Sequence, residues 1–196
     1  LRDLRFAIRS LCRAPLFTAV AVLSLALGIG ANTSIFSIFD QVLLRLLPVK
    51  DPESLVLIAT KGAHPGSNRG RNSLSYPMYK DYRERNEVFS GMLCRRGEDV
   101  NVSIEGSTER VEAELVSGNY FEVLGVLPAE GRVFSKSDET SPGANPVVVL
   151  NYDYWRTRHK ADPSIVGKVM RVNNYPMTVV GVAAPGFNGV TLGYRP

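Results

Sequence analysis

The sequence predicts an α+β chain in two parts, an N-terminal amphipathic and transmembrane helix followed by a mixed α/β domain outside the cytoplasm. Three observations predict it. From Ala14 to Phe39 no side chain is charged. Arg2, Arg5, Arg9 and Arg13 crowd the segment just before that run. After it, short apolar runs with strand periodicity are interspersed with capped helical segments. The expected divisions are a cytoplasmic amphipathic helix over 1–14, a transmembrane helix over 15–47 and an extracytoplasmic core domain over 48–196.

The uncharged run comes first. As a helix at about 1.5 Å per residue it would extend roughly 39 Å, more than the ~30 Å hydrocarbon core of a bilayer. Its middle, Gly28-Ile29-Gly30-Ala31-Asn32-Thr33, lacks the third glycine of a dinucleotide loop and follows no strand. A cleaved signal peptide would use the basic start and the small residues at Gly28 and Gly30. Against cleavage, apolar character resumes with Ile35, Phe36, Ile38 and Phe39, so the reading adopted is an uncleaved span. Ala26, Gly30 and Ser34 recur every four residues, a small-xxx-small pattern that lets another helix approach closely. Asn32, Thr33 and Ser34 add groups able to hydrogen-bond across such a contact.

Charge sets the orientation. Four arginines precede the span, whereas Arg45 and Lys50 after it are mixed with Asp40, Asp51 and Glu53. The positive-inside rule therefore places the N-terminus in the cytoplasm. In the leading segment the arginines share one helical face, and Leu4, Ile8 and Leu11 share the opposite one. Pro15 marks a break before the span. Arg5, Arg9 and Arg13 are thus candidates to meet lipid phosphates or an acidic partner at the inner surface. They serve equally well as a topology signal alone.

The remainder is long enough for one ordinary domain with its own core. The net charge is +4, and the first fifteen residues supply most of it with four arginines against one aspartate. The outer part is therefore near neutral, and the high pI does not argue for nucleic-acid binding. Cys12 and Cys94 are expected in different compartments, which excludes a disulfide between them.

Within the outer part, Ser54–Thr60 reads as a strand, followed by the glycine-rich loop KGAHPGSNRGRN. Ser75 caps a helix with Pro77 in its first turn. Lys80–Glu84 and Asp81–Arg85 are spaced as ion pairs, and Tyr76, Tyr79 and Tyr82 as a packing stripe. A strand is expected over 89–95. Val100, Val102 and Ile104, then Val111, Ala113 and Leu115, alternate with polar neighbours around Gly106-Ser107 and predict a hairpin with one wet face. Pro146–Leu150 reads as a central buried strand and Tyr152–Lys160 as a helix. Val169–Val172 and Thr178–Val182 flank a tight turn at Asn173-Asn174. The closing Gly193-Tyr194-Arg195-Pro196 carries no terminal helix and reads as cut.

Catalytic signals are sparse. His64 and His159 have no cysteine or carboxylate at metal-ligand spacing. No Gly-x-Ser-x-Gly elbow occurs, and no histidine lies near a nucleophile. Gly167-Lys168 is followed by valine, with Asp162 where a P-loop needs glycine. Glu112 and Glu114 read as a solvated strand face rather than a catalytic pair. Asn101-Val102-Ser103 matches a glycosylation sequon too short to carry weight. No catalytic, cofactor-binding or metal-binding residue is assigned.

The segment FTAVAVLSLALGIGANTSIFSIFDQVLLRLLP resembles the first transmembrane helix of MacB/FtsX-like ABC transporter permeases, most of all the acidobacterial-type duplicated orphan permeases. RDLRFAIRSLCRAP is similar to their cytoplasmic entry helix. SYPMYKDYRERNEVFSG, VSGNYFEVLGVLPAEGRVFS and PVVVLNYDYWRTRHKADPSIVGKVMRVNNYPMTVVGVAAPGFNGV follow in the family's order. Leu46 replaces a proline usual in the motif after the span, and Cys94 a small apolar residue.

The resemblance implies a MacB-type extracytoplasmic core domain in a permease subunit of the bacterial inner membrane. It implies further transmembrane helices and either a second permease half or a homodimer partner. ATP and magnesium would sit on a separate cytoplasmic ABC ATPase, so this chain itself is expected not to be an enzyme. The implied mechanism is mechanotransmission, in which ATP-driven motion moves the membrane helices and rearranges the outer domains for efflux or export. The alternative class is a membrane-anchored binding or sensor module without an ATPase; an anchored enzyme has least support.

Overall fold

The computed structural model describes residues 13–39, 47–58, 74–104, 106–141 and 143–190. The expected amphipathic helix before Arg13, with Arg5, Arg9 and Cys12, lies outside the described residues, as do the glycine-rich stretch with His64 and the last six residues. The chain divides into two compact units, Leu1–Leu46 and Leu47–Pro196.

In the first unit, helix α1 runs from Pro15 to Phe39. Proline opens it because its missing N–H would have no partner in the first turn, and Ala14 is non-helical immediately before. The backbone N–H and the hydroxyl of Thr18 both donate to Ala14 O at 3.0 Å, which holds that turn. Residues 15–37 form a helix long and apolar enough to cross a membrane, with none of it buried within its own unit.

The second unit is a mixed sheet with helices. Its strands are β1 (Arg95–Ile104), β2 (Ser107–Val116), β3 (Pro128–Gly131), β4 (Val147–Leu150), β5 (Val169–Val172) and β6 (Tyr175–Ala183). Its helices are α2 (Tyr76–Glu84), α3 (Tyr120–Leu124) and α4 (Tyr152–Arg158). The sheet order is β2–β1–β5–β6–β3, with β4 also paired to β6 in parallel and every other pairing antiparallel. β6 is the hub, taking three partners along nine residues. Val179 and Val182 on it are completely buried.

Two apolar clusters fill the unit. One joins Tyr120, Phe121, Leu124, Val126, Ala183 and Phe187. The other joins Leu150, Trp155, Ile165, Met170, Val179 and Val182. Gly181 is required where β3 and the residue after it lie against β6, because a Cβ there would lie 2.2 Å from Arg132 O and 2.6 Å from Glu130 O.

Several expectations hold. The hairpin forms with Val100 opposite Val111 and its turn at Gly106. Asn173 and Asn174 both take positive φ, as a tight two-residue hairpin turn requires. Ser75 caps α2 as expected; the structure adds a cap on α4, where Asn151 accepts from the N–H groups of Asp153 and Tyr154.

Others are corrected. The strand expected from Ser54 onward is absent over the described residues: Pro52–Ser54 forms a 3-10 turn, and residues 55–58 are unpaired. Their β propensity finds no neighbouring strand there, and Val56 and Leu57 remain well exposed. The strand expected over 89–95 begins only at Arg95, the preceding residues being irregular. The ion pairs Lys80–Glu84 and Asp81–Arg85 do not form. Of the three tyrosines on α2 only Tyr79 is buried. β4, expected in the centre, pairs with β6 alone.

Candidate functional site

The residues singled out in α1 are Ala26, Gly30, Asn32 and Ser34. All four are exposed within their unit, and a Cβ at Gly28 or Gly30 would meet nothing within 4 Å. The Ser34 hydroxyl donates to Gly30 O at 2.8 Å, so its hydrogen is satisfied inside the helix. At about 100° per residue, Ala26, Gly30 and Ser34 line one face. Asn32 lies roughly 160° from Gly30, on the opposite face with Ser24 and Gly28. The helix therefore carries two small or polar stripes, back to back, rather than one. Arg13 is exposed just before α1.

The second unit holds its polar groups in a different arrangement. Three glutamates each accept one tyrosine hydroxyl and pair with one arginine. Glu139 takes the Tyr76 hydroxyl and Arg83, at 3.2 Å, from α2, while its other oxygen accepts the Gly118 N–H at 2.7 Å. Glu114 on β2 takes the Tyr120 hydroxyl at 2.9 Å and Arg95 at 3.3 Å. Glu109, nearer the hairpin turn, takes the Tyr154 hydroxyl at 2.9 Å and Arg158 at 2.8 Å.

Each clasp ties a helix to another part of the chain. A carboxylate with several charge-assisted donors is held more firmly than one with a single neutral bond. Around Glu139, Arg83 also stacks over the Tyr79 ring at 5.1 Å, and the Tyr79 hydroxyl donates to Asn119 Oδ1 at 3.0 Å. Burial opposes ionisation of Glu139 most strongly. The bonds from Tyr76 and Gly118 and the charge of Arg83 outweigh it, so the carboxyl titrates below its ordinary 4.5. Burial, then the neighbouring Glu114, raises the Tyr120 phenol; burial, then the bond to Glu109, raises that of Tyr154. Burial and the nearby Glu139 charge push the Cys94 thiol up to about 11, which keeps it protonated at neutral pH.

These glutamates escaped the sequence reading. Glu114, read as solvated beside Glu112, has a side chain only 5% exposed. Tyr154 and Glu109 are 45 residues apart, and Tyr76 and Glu139 63 apart, so no local spacing announces either pair. His159 ends α4 with its ring edge-on to Tyr154. Among the described residues no group of three or more His, Cys, Asp or Glu is placed to hold a metal.

The arrangement is one of joints rather than reacting groups: tyrosine, glutamate and arginine are consumed in holding elements together. Against that geometry, the model of the MacB-like periplasmic core domain matches residues 18–194. The chain belongs to this family. The match takes in most of α1 as well as the sheet unit.

The macrolide export ATP-binding/permease protein MacB of Escherichia coli (strain K12) is 27% identical over 187 residues, 92% of this chain and 28% of that protein. The protein of the same name from Shigella dysenteriae serotype 1 (strain Sd197) shows the same identity and coverage. The chain thus spans 28% of the length of the curated relatives it matches. Among solved structures, the periplasmic region of MacB from Actinobacillus actinomycetemcomitans superposes with a TM-score of 0.52 at 19% identity, over 64% of this chain and 58% of that one. It shares the fold. The mixed sheet unit behind an N-terminal apolar helix is that of a MacB-like core domain.

Proposed function

We propose that this chain is the first membrane span and outer core domain of a MacB-like ABC transporter permease, which passes ATP-driven motion outward for efflux or export. The observation that carries the reading is the extent of the family match, 18–194, which joins the apolar helix and the sheet unit in one domain. It supports an uncleaved span, since a cleaved leader would not belong to the mature domain. In this reading the N-terminus is cytoplasmic, the core domain is periplasmic or extracellular, and the membrane is the bacterial inner one.

The two stripes of α1 give the mechanism a physical basis. Lipid offers no hydrophobic drive between helices, so close packing and interhelical hydrogen bonds hold them together. The face of Ala26, Gly30 and Ser34 takes one neighbouring helix, and Asn32, with Ser24 and Gly28, takes another. A span gripped on both sides passes on displacement instead of sliding in lipid. Arg5, Arg9 and Arg13 lie at the ATPase side. ATP and magnesium are handled by a separate cytoplasmic subunit, although the matched relatives are named as joining ATP-binding and permease functions in one protein.

The test is purification of the tagged full-length protein from its native membrane, with identification of bound subunits and an ATPase assay. A bound ATP-binding subunit whose Walker-motif mutation abolishes hydrolysis supports the proposal. Hydrolysis intrinsic to the full-length chain would move the ATPase onto the same polypeptide. Intact protein with neither subunit nor hydrolysis would overturn the proposal in favour of an anchored binding module.

A further inference from the structure

We propose that the β1–β2 hairpin is a pivoting arm, latched to the sheet unit by the two clasps at Glu109 and Glu114. The inference goes beyond the permease reading and does not depend on it. β1 and β2 pair with each other over ten positions, but β1 meets β5 at only two, Val102 with Val172 and Ser103 with Arg171. Beside that seam, Asn173 donates its N–H to Asn101 O at 2.7 Å, and its side chain accepts the Asn101 N–H at 2.9 Å. Val100 and Val102 are buried, yet neither belongs to the two main apolar clusters, against which the hairpin sets only the partly buried Val116 and Ile104, at its two ends. The arm is internally regular and narrowly attached.

Its base is a natural pivot. The Ser117 N–H donates to Cys94 O at 3.0 Å, and the Cys94 N–H donates to Ser117 Oγ at 3.1 Å, closing the two strands just below the ladder. Glu114 sits three residues above this joint and Glu109 eight. Successive strand residues point to opposite faces, so the two carboxylates lie on opposite faces of the arm. α3 grips one face near the pivot through Tyr120, and α4 grips the other near the tip through Tyr154 and Arg158. Rotation either way must break one grip. The tip clasp has the longer lever and controls the seam, and the base clasp limits the swing.

The experiment is residue-resolved hydrogen exchange on the full chain in detergent, comparing wild type with Tyr154→Phe, Tyr120→Phe and the double variant. These changes keep the rings and remove only the hydroxyls. Exchange of the Asn101 and Asn173 amides is expected to accelerate at least tenfold in Tyr154→Phe, less in Tyr120→Phe and most in the double variant. The Val179 amide on β6, bonded to Lys168 O at 2.9 Å, should stay within twofold of wild type. Because Tyr120 is deeply buried, Glu109→Gln provides a second route through the half-exposed clasp and should reproduce the Tyr154→Phe result. Unchanged seam amides in Tyr154→Phe and Glu109→Gln would overturn the arm, as would equal acceleration at Val179 or a larger effect from Tyr120→Phe alone.

Discussion

The β6 crossroads and the β1–β2 hairpin belong to one sheet and are held in opposite ways. Around β6 the stabilisation is apolar and dense: Val179 and Val182 have no exposed surface, and Gly181 lets β3 lie against the backbone. The hairpin buries two valines and depends on glutamates shared with tyrosine and arginine. Apolar packing is non-directional and tolerates little loss of volume, whereas a hydrogen-bonded clasp is directional and comes apart as a unit. A domain that must stay folded while part of it moves gains from keeping these two kinds of attachment apart.

The largest loss of stability is expected at the β6 crossroads. Gly181→Ala should cost on the order of 4 kcal/mol, because the new methyl meets backbone oxygens that cannot turn aside. Chemical denaturation should show loss of the cooperative transition; a shift of less than about 1 kcal/mol would mean that the crossing has slack. Next comes Leu124→Ala in the first cluster. Leu124 is 1% exposed, and the cavity should lower stability by about 3 kcal/mol in the same assay.

Removing a clasp carboxylate should cost less. Glu139→Gln leaves Arg83 without its anion and should destabilise by about 1–2 kcal/mol. Its pH dependence is the sharper mark. Because the folded-state pKa of Glu139 lies below 4.5, its contribution is complete above that pH and disappears as pH falls through the folded value. The stability difference between wild type and Glu139→Gln should therefore shrink as pH falls from 4.5 through the folded-state value, measured by denaturation at stepped pH. The smallest effect belongs to the exposed pair Arg110–Asp99 on the wet face of the hairpin. Arg110→Ala should change stability by less than about 0.5 kcal/mol, since solvent screens such pairs.

What could be read in advance divides along the same line. The uncharged run, the valine alternation around Gly106 and the paired asparagines at 173–174 are local signals, each sufficient for its element. Residues 55–58 show the limit: β propensity without a partner strand leaves an extended stretch, not a strand. Tyr76 shows another, because its spacing with Tyr79 predicts packing while its hydroxyl is engaged by Glu139 across 63 residues. Glu114 looked solvated because alternation reports which face a residue takes and not what covers that face. In α1 the stripe of Ala26, Gly30 and Ser34 was visible from spacing, but Asn32 belongs to the other face once the helix is laid out. The clasps are long-range pairs, invisible until the topology is known.

The central claim is that motion generated by an ATPase reaches the outer unit through α1. The direct measurement is hydrogen exchange across residues 95–183 in the full-length protein with its ATPase, without nucleotide and with ATP held unhydrolysed. If motion passes along α1, ATP alters exchange at the hairpin seam, at Asn101 and Asn173, while the β6 amides keep their protection. Identical exchange throughout the outer unit in the two states would contradict it.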